Sequence, residues 1–319
     1  MSAATSLSER EPGTQTPRAI AVHGVGRVVY GVDETGTTRL QDLYQSDPVR
    51  VLFPTPPRDE IQSATFVTTS GGLVGGDVLE LTAQVVGDAA ALFYPQAAEK
   101  IYRSTGRESR IDVALTVGAG SWLEWLPQET ILFDGARLIR RTAADVEPGG
   151  RLLAGDMVVL GRTAMGETIH GGVLRDEWTV RRDGRLVWAD ALCLKGAIAE
   201  TVAHPAGLAG ATALATAVYM ADDAAANLTT ARDLLAGAPE AVRVGASVVN
   251  DLLVIRFLAK DAAPLRQIFG EFWADFRHAM AGFPAALPRL RTRCPDRLRP
   301  TSAAAQGPSP SRRRRLAYW

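Results

Sequence analysis

Apolar and polar residues alternate with a period of two along much of the chain. Ile111, Val113, Leu115 and Val117 alternate with Asp112, Ala114 and Thr116, the pattern of a half-buried strand. Ala64-Thr65-Phe66-Val67-Thr68 and Val78-Leu79-Glu80-Leu81-Thr82 are likewise strand-like. Between them, Ser70-Gly-Gly-Leu-Val-Gly-Gly-Asp77 predicts a sharp turn that ends on an acidic side chain. Extended residues on both sides of Asp183-Gly184 predict a hairpin spanning Trp178 to Trp188. Leu252 to Leu258 is a buried strand. A period of 3.6 appears only late. Asp222 is placed to cap a helix from Asp223 to Ala236, with Ala224, Leu228, Ala231 and Leu235 as its apolar stripe. A second helix is expected from Asp261 to Met280. Leu265, Ile268, Phe269, Phe272, Trp273 and Phe276 line one face, and Gly282 and Pro284 end it.

Gly87, Gly118 and Gly149 are evenly spaced, and each follows one strand-like run and precedes another. Two of the three units then reach Pro-Gln, at Pro95-Gln96 and Pro127-Gln128. Such a rhythm predicts stacked β-layers, as in a β-solenoid or elongated sandwich. The expected fold is mainly β, with β-helix-like stacked layers and two helices near the C-terminus. Residues 1–17 have the composition of a disordered segment, 18–290 form the folded domain, and 291–319 are a disordered basic tail containing Arg312 to Arg315.

The 319 residues are 46% hydrophobic, enough for a sizeable core, and carry no formal net charge. Neutrality argues against a general nucleic-acid surface. Cys193 and Cys294 stand far apart and suggest neither a disulfide framework nor a zinc knuckle. No apolar run approaches a membrane span, and the N-terminus lacks a signal-peptide core, so a cytoplasmic protein is expected. In the Gly-rich turn, Asp77-Val78 stands where a phosphate loop has Lys and Ser/Thr. His23-Gly24-Val25-Gly26 lacks the third glycine and following helix of a dinucleotide site. The four histidines, His23, His170, His204 and His278, are not paired at metal-site spacing. No nucleophile–base pair stands out, so an enzyme is not expected; a hydrolase using Glu129 and Asp134 would need those carboxylates to converge in a cleft.

Three acids sit within apolar runs. Asp156 interrupts Leu152 to Leu160, Asp190 interrupts Leu186 to Leu194, and Glu124 lies within Trp122-Leu123-Glu124-Trp125. A buried carboxylate is costly unless paired, hydrated or metal-bound. One account is ion pairing with Arg151, Arg162 or Lys195; the other is a hydrated internal passage for a cation.

Four stretches resemble the UreD family of urease accessory proteins, called UreH in some organisms. They are Gly71 to Asp77, Gln96-Ala-Ala-Glu-Lys-Ile-Tyr-Arg-Ser104, Leu123-Glu-Trp-Leu-Pro-Gln-Glu-Thr130 and Leu160-Gly-Arg-x-x-Met-Gly-Glu167. Gly245-Ala246-Ser247 and Leu287-Pro288-Arg289 also fit, and the order is that of the family over roughly residues 20 to 290. The resemblance implies a non-enzymatic metallochaperone that binds UreF and the GTPase UreG, docks on apo-urease and helps deliver nickel. It implies no tightly bound cofactor, only transient Ni2+, and a tunnel as the nickel route. Asp77, Glu99, Asp156 and Asp190 fall on its motifs and tunnel-side strands and are the candidate residues of that passage. The basic extension after Leu287-Pro288-Arg289 departs from the family.

Overall fold

The computed structural model describes residues 21–288. The N-terminal segment and basic tail assigned above lie outside them. Seventeen strands follow in order. The chain opens with β1 (His23–Val32), β2 (Thr38–Ser46), β3 (Val49–Leu52), β4 (Gln62–Thr68), β5 (Val78–Val85) and β6 (Ala90–Gln96). Next come β7 (Glu99–Ile101), β8 (Ser109–Val117), β9 (Trp122–Trp125), β10 (Thr130–Leu132), β11 (Arg137–Val146) and β12 (Arg151–Leu160). The last are β13 (Gly172–Arg182), β14 (Arg185–Gly196), β15 (Ala213–Met220), β16 (Val242–Val249) and β17 (Leu252–Ala259). Three α-helices accompany them: α1 (Ile198–Ala203), α2 (Leu228–Leu235) and α3 (Ala262–Ala281).

The strands form two sheets. The first runs β14-β13-β11-β8-β5-β1-β2, and the second β16-β17-β15-β12-β9-β6-β4-β3, with β10 and β7 alongside β12. Neighbours β1, β5, β8, β11 and β13 are parallel, as are β4, β6, β9 and β12. The chain therefore crosses from one sheet to the other at each glycine turn: β5 to β6 at Gly87, β8 to β9 at Gly118, β11 to β12 at Gly149. This is the stacked, solenoid-like architecture that the glycine rhythm predicts, with antiparallel hairpins added at its ends. Val28, Leu79, Leu81, Ile111, Val113, Leu123, Trp125, Leu138 and Leu174 belong to one buried cluster between the sheets.

Local features follow the sequence closely where the local signal is strong. Asp183 and Gly184 both have positive φ, at 50° and 71°, the requirement of the tight turn joining β13 to β14. Asp261 caps α3 by accepting the Ala263 N–H at 2.9 Å, and Gly282 closes it in the left-handed region. Leu265, Phe269, Phe272, Trp273 and Phe276 are buried, each contributing about 1.5–3 kcal/mol. They pack on the outer face of the second sheet through Phe257 and Tyr219. A Cβ on Gly155 would come within 3.2 Å of the Phe269 and Trp273 rings, so that glycine lets the helix approach.

The first helix differs from expectation. Asp222 does not cap it: it pairs with Arg182, while Asp223 accepts the Tyr219 hydroxyl at 2.9 Å. A 3-10 turn over Ala225–Asn227 precedes α2, which starts only at Leu228. Both aspartates are drawn to tertiary partners and are lost to capping. The short α1 had no periodic signal of its own.

Candidate functional site

The proline corners of the coils open a gap in the second sheet. β9 pairs with β6 and β12 only as far as Phe93↔Trp125 and Ala154↔Trp125. Pro95 and Pro127 come next and have no N–H to extend the ladder. Pairing resumes in β7 and β10, at Thr130↔Glu99 and Thr130↔Val158. β12 alone runs straight through, so Gly155 and Asp156 lie beside the gap. The result is an internal cavity of about 50 Å³ between the sheets. That exceeds the roughly 10–15 Å³ a single water needs. Glu99, Thr68, Gln128, Thr130, Arg140 and Asp156 contribute its polar lining.

Register explains why those groups meet. On the inner face of the first sheet, Leu79 pairs with Ile111, Ile111 with Arg140 and Arg140 with Asp176. One apolar row thus turns polar as it passes from β8 to β11. Arg140 is buried and anchored: its Nε donates to Asp176 Oδ1 at 2.8 Å, its Nη2 to Asp176 Oδ2, and its Nη1 to Thr130 Oγ1 at 3.1 Å. Toward Asp156 it makes a single looser contact, Nη2 to Oδ2 at 3.3 Å. The Trp178 indole donates to the same Oδ2 at 2.5 Å.

Two carboxyls of this cavity are poised to change charge. Burial pushes Glu99 up to about 7, against the pull of the Thr68 hydroxyl and of Lys100. Burial and the neighbouring Asp176 carboxylate raise Asp156, against the pull of Arg140 and Trp178. Burial disfavours the charge on Arg140, yet Asp176 and Asp156 outweigh it and raise its pKa.

Of the four acids singled out in the sequence, the structure brings Glu99 and Asp156 to one cavity. Asp77 is elsewhere: buried, it accepts the Val22 N–H at 3.0 Å and the Val74 N–H at 2.8 Å, fastening the Gly-rich turn. Asp190 pairs across strands with Trp178 and forms an ion pair with Arg256 at 2.8 Å, joining β14 of the first sheet to β17 of the second. It also borders a separate open groove of about 550 Å³. The partners of Asp156 and Asp190 are therefore Arg140 and Arg256, and not Arg151, Arg162 or Lys195. Arg162 instead holds Glu167, and Arg151 reaches the Met280 carbonyl. Arg140 was missed because it sits in a basic run, Arg137 to Arg141. Its parity with Leu138, Thr142, Ala144 and Val146 is the signal that places it inward.

Glu124 belongs to a different network, on the opposite face of the same sheet. It is fully buried and accepts Trp122 Nε1 and Trp273 Nε1 at 2.9 Å, and Arg277 Nε at 2.9 and 3.0 Å. Arg277 turns its remaining nitrogens to Glu60 at 2.5 and 2.9 Å and to the Pro284 carbonyl at 2.9 Å. Glu129 and Asp134 do not converge. Glu129 is buried against Arg266 of α3, whereas Asp134 holds Arg103 at 3.0 Å and the His170 N–H at 2.7 Å. Asp134 lies in an open groove of about 440 Å³ with Phe133 and with Tyr102, Arg103, Arg162 and Glu167, the last four from two of the sequence motifs. Among the described residues, no group of three or more His, Cys, Asp or Glu side chains is placed to hold a metal ion. None of the described helices is long and apolar enough to cross a membrane.

The family model described as UreD urease accessory protein matches residues 22–292. The chain belongs to the UreD family. Relatives within it include a urease accessory protein UreD from Magnetococcus marinus, 47% identical over 91% of this chain and 98% of its own length. A UreD 2 from Methylorubrum populi is 44% identical over 77% of this chain and 83% of its own. A UreD from a Methylobacterium species is 43% identical over 83% and 93%. The four stretches noted in the sequence contribute Glu99, Gln128 and Thr130 to the cavity, the Gly-rich turn, and Tyr102, Arg103, Arg162 and Glu167 to the open groove.

Proposed function

We propose that this chain is a urease accessory protein that acts as scaffold and nickel conduit in the complex loading the urease active site. It works in the cytoplasm with UreF, the GTPase UreG and apo-urease, and it performs no catalysis of its own. Membership of the UreD family supports the accessory role. The conduit rests on one observation: Glu99 and Asp156, from different coils, face one internal cavity large enough for water. Carboxylate oxygen and water bind a divalent cation loosely, whereas clustered imidazoles or thiolates would hold nickel and release it slowly. Hydration also lowers the cost of burying the acids. Asp77 and Asp190 complete the proposed path as outlying acids, one beneath the Gly-rich turn and the other at the sheet edge.

The ion pairs of Asp156 and Asp190 favour a second reading, a protein-binding scaffold with no metal role. The two separate in one experiment. The Glu99→Gln/Asp156→Asn variant is purified with UreF and UreG, and nickel incorporation into apo-urease is followed. Under the conduit reading the complex assembles and nickel loading falls. Loading at the wild-type rate by an intact complex leaves the scaffold reading in its place.

A further inference from the structure

Arg140 is the one arginine among the polar residues lining the cavity, and its position is fixed from outside it. Asp176, which does not line the cavity, takes the guanidinium in a two-pronged grip, and Thr130 holds the third nitrogen. Only the outer edge of Nη2 reaches toward Asp156, at 3.3 Å. An arginine recruited simply to neutralise Asp156 would place its fork on that carboxylate. Here the fork is on Asp176 and a residual positive edge is left beside the Asp156 oxygen.

We propose that Arg140 is a fixed counter-charge that keeps divalent-cation binding at Asp156 weak, so that cargo leaves as readily as it arrives. The inference rests on the conduit reading and adds its release step. A cation at Asp156 would meet a carboxylate whose Oδ2 already takes the guanidinium edge and the Trp178 N–H. Because Asp176 and Thr130 hold Arg140 in place, it cannot swing away to accommodate the cation. Its charge therefore acts throughout the visit, and in a buried site that repulsion is poorly screened. Asp176 is a positioning residue in this scheme, since it acts by holding Arg140.

The test uses the full chain and nickel alone. Equilibrium dialysis and the rate of nickel loss to a chelator are compared for wild type, Arg140→Gln and Arg140→Lys. Arg140→Gln should retain nickel at least about tenfold more tightly, because a unit charge close to the cation is gone. Arg140→Lys keeps the charge without the two-pronged grip and should retain nickel less tightly than Arg140→Gln, closer to wild type. If Arg140→Gln does not fold, the same change is made in an Asp176→Asn background, where it should retain nickel more tightly than Asp176→Asn alone. A folded Arg140→Gln that retains no more nickel than wild type, or failing that a folded double variant that retains no more than Asp176→Asn, overturns the inference. So does an Arg140→Lys variant that retains nickel as the glutamine does, since charge would then not be the agent. These are binding measurements, whereas the conduit reading stands or falls on nickel loading by Glu99→Gln/Asp156→Asn.

Discussion

A buried arginine between two carboxylates lies against each face of the second sheet, Arg140 from the first sheet and Arg277 from α3, and the two arrangements differ in how completely they are closed. On the outer face, Glu124 receives two indole N–H groups and the Arg277 Nε, and Arg277 spends its other nitrogens on Glu60 and a carbonyl. Trp273, Phe269 and Phe276 of α3 are fully buried around it. On the inner face, Arg140 is held by Asp176 and Thr130, while Asp156 and Glu99 look into a cavity. Burial of an acid thus does not by itself mark a site. Glu124 is the more deeply buried and fastens a helix. Asp156 keeps spare acceptor capacity and has room beside it, which is why the proposed path runs through it.

The strongest way to break this contrast is to remove one charge from each network. Arg277→Met strands Glu124 and Glu60, and should cost about 3–5 kcal/mol, the usual penalty for orphaning a buried charge. Asp156→Asn leaves Arg140 on Asp176 and keeps an acceptor for Trp178. Burial already favours its neutral form, so the change should stay within about 1 kcal/mol. Denaturant melts of the two variants measure the difference directly. Equal losses would mean that Asp156 is as structural as Glu124.

A middle-sized effect concerns pH. In the folded chain Glu99 titrates near 7, above its ordinary 4.5. Between those values the folded state keeps a proton that the unfolded state has released. Stability should therefore fall as pH rises through this window and be fully present below it. Half-buried as it is, Glu99 should contribute a slope totalling about 1–2 kcal/mol. Asp156, raised in the same direction, adds to it. Melting temperature against pH should be measurably flatter in Glu99→Gln than in wild type. Curves that superimpose would place Glu99 in water and outside the cavity.

The same contrast shows what a sequence can disclose. The coil rhythm was readable because each crossing uses a glycine turn, and turn chemistry is local. Helix α3 was readable because its cap, its stripe and its stop all agree. Asp156 and Glu124 were both flagged as misplaced acids, but nothing in their neighbourhoods says which is sealed and which is open. That depends on which coil lies beside which, and on Pro95 and Pro127 falling at the same level as Gly155 and Asp156. Arg277 was hidden on the aromatic face of a helix whose charged side seemed accounted for. The nearest basic residues in sequence proved the wrong partners because a solenoid pairs coils, not neighbours.

The smallest effect is the most delicate test of where the open network ends. Asp190 lies in the same cross-strand row as Trp178, whose indole binds Asp156, and Arg256 lies in the same row as Thr216 and Asp156. The bridge between Asp190 and Arg256 is therefore one row of side chains reaching the rim. It is also exposed, at 32% and 54% of the two side chains, and exposed pairs contribute little. Asp190→Asn should cost about 0–1 kcal/mol, and the coupling between Asp190→Asn and Arg256→Gln in a double-mutant cycle should shrink as salt is raised. Function can respond out of proportion to stability. If the path reaches the rim here, Asp190→Asn should slow nickel loading while its melt overlays that of wild type. A variant that loads urease normally would shorten the path to Glu99 and Asp156. A coupling of several kcal/mol that ignores salt would instead make the rim a third structural bridge, akin to Arg277 and Glu124.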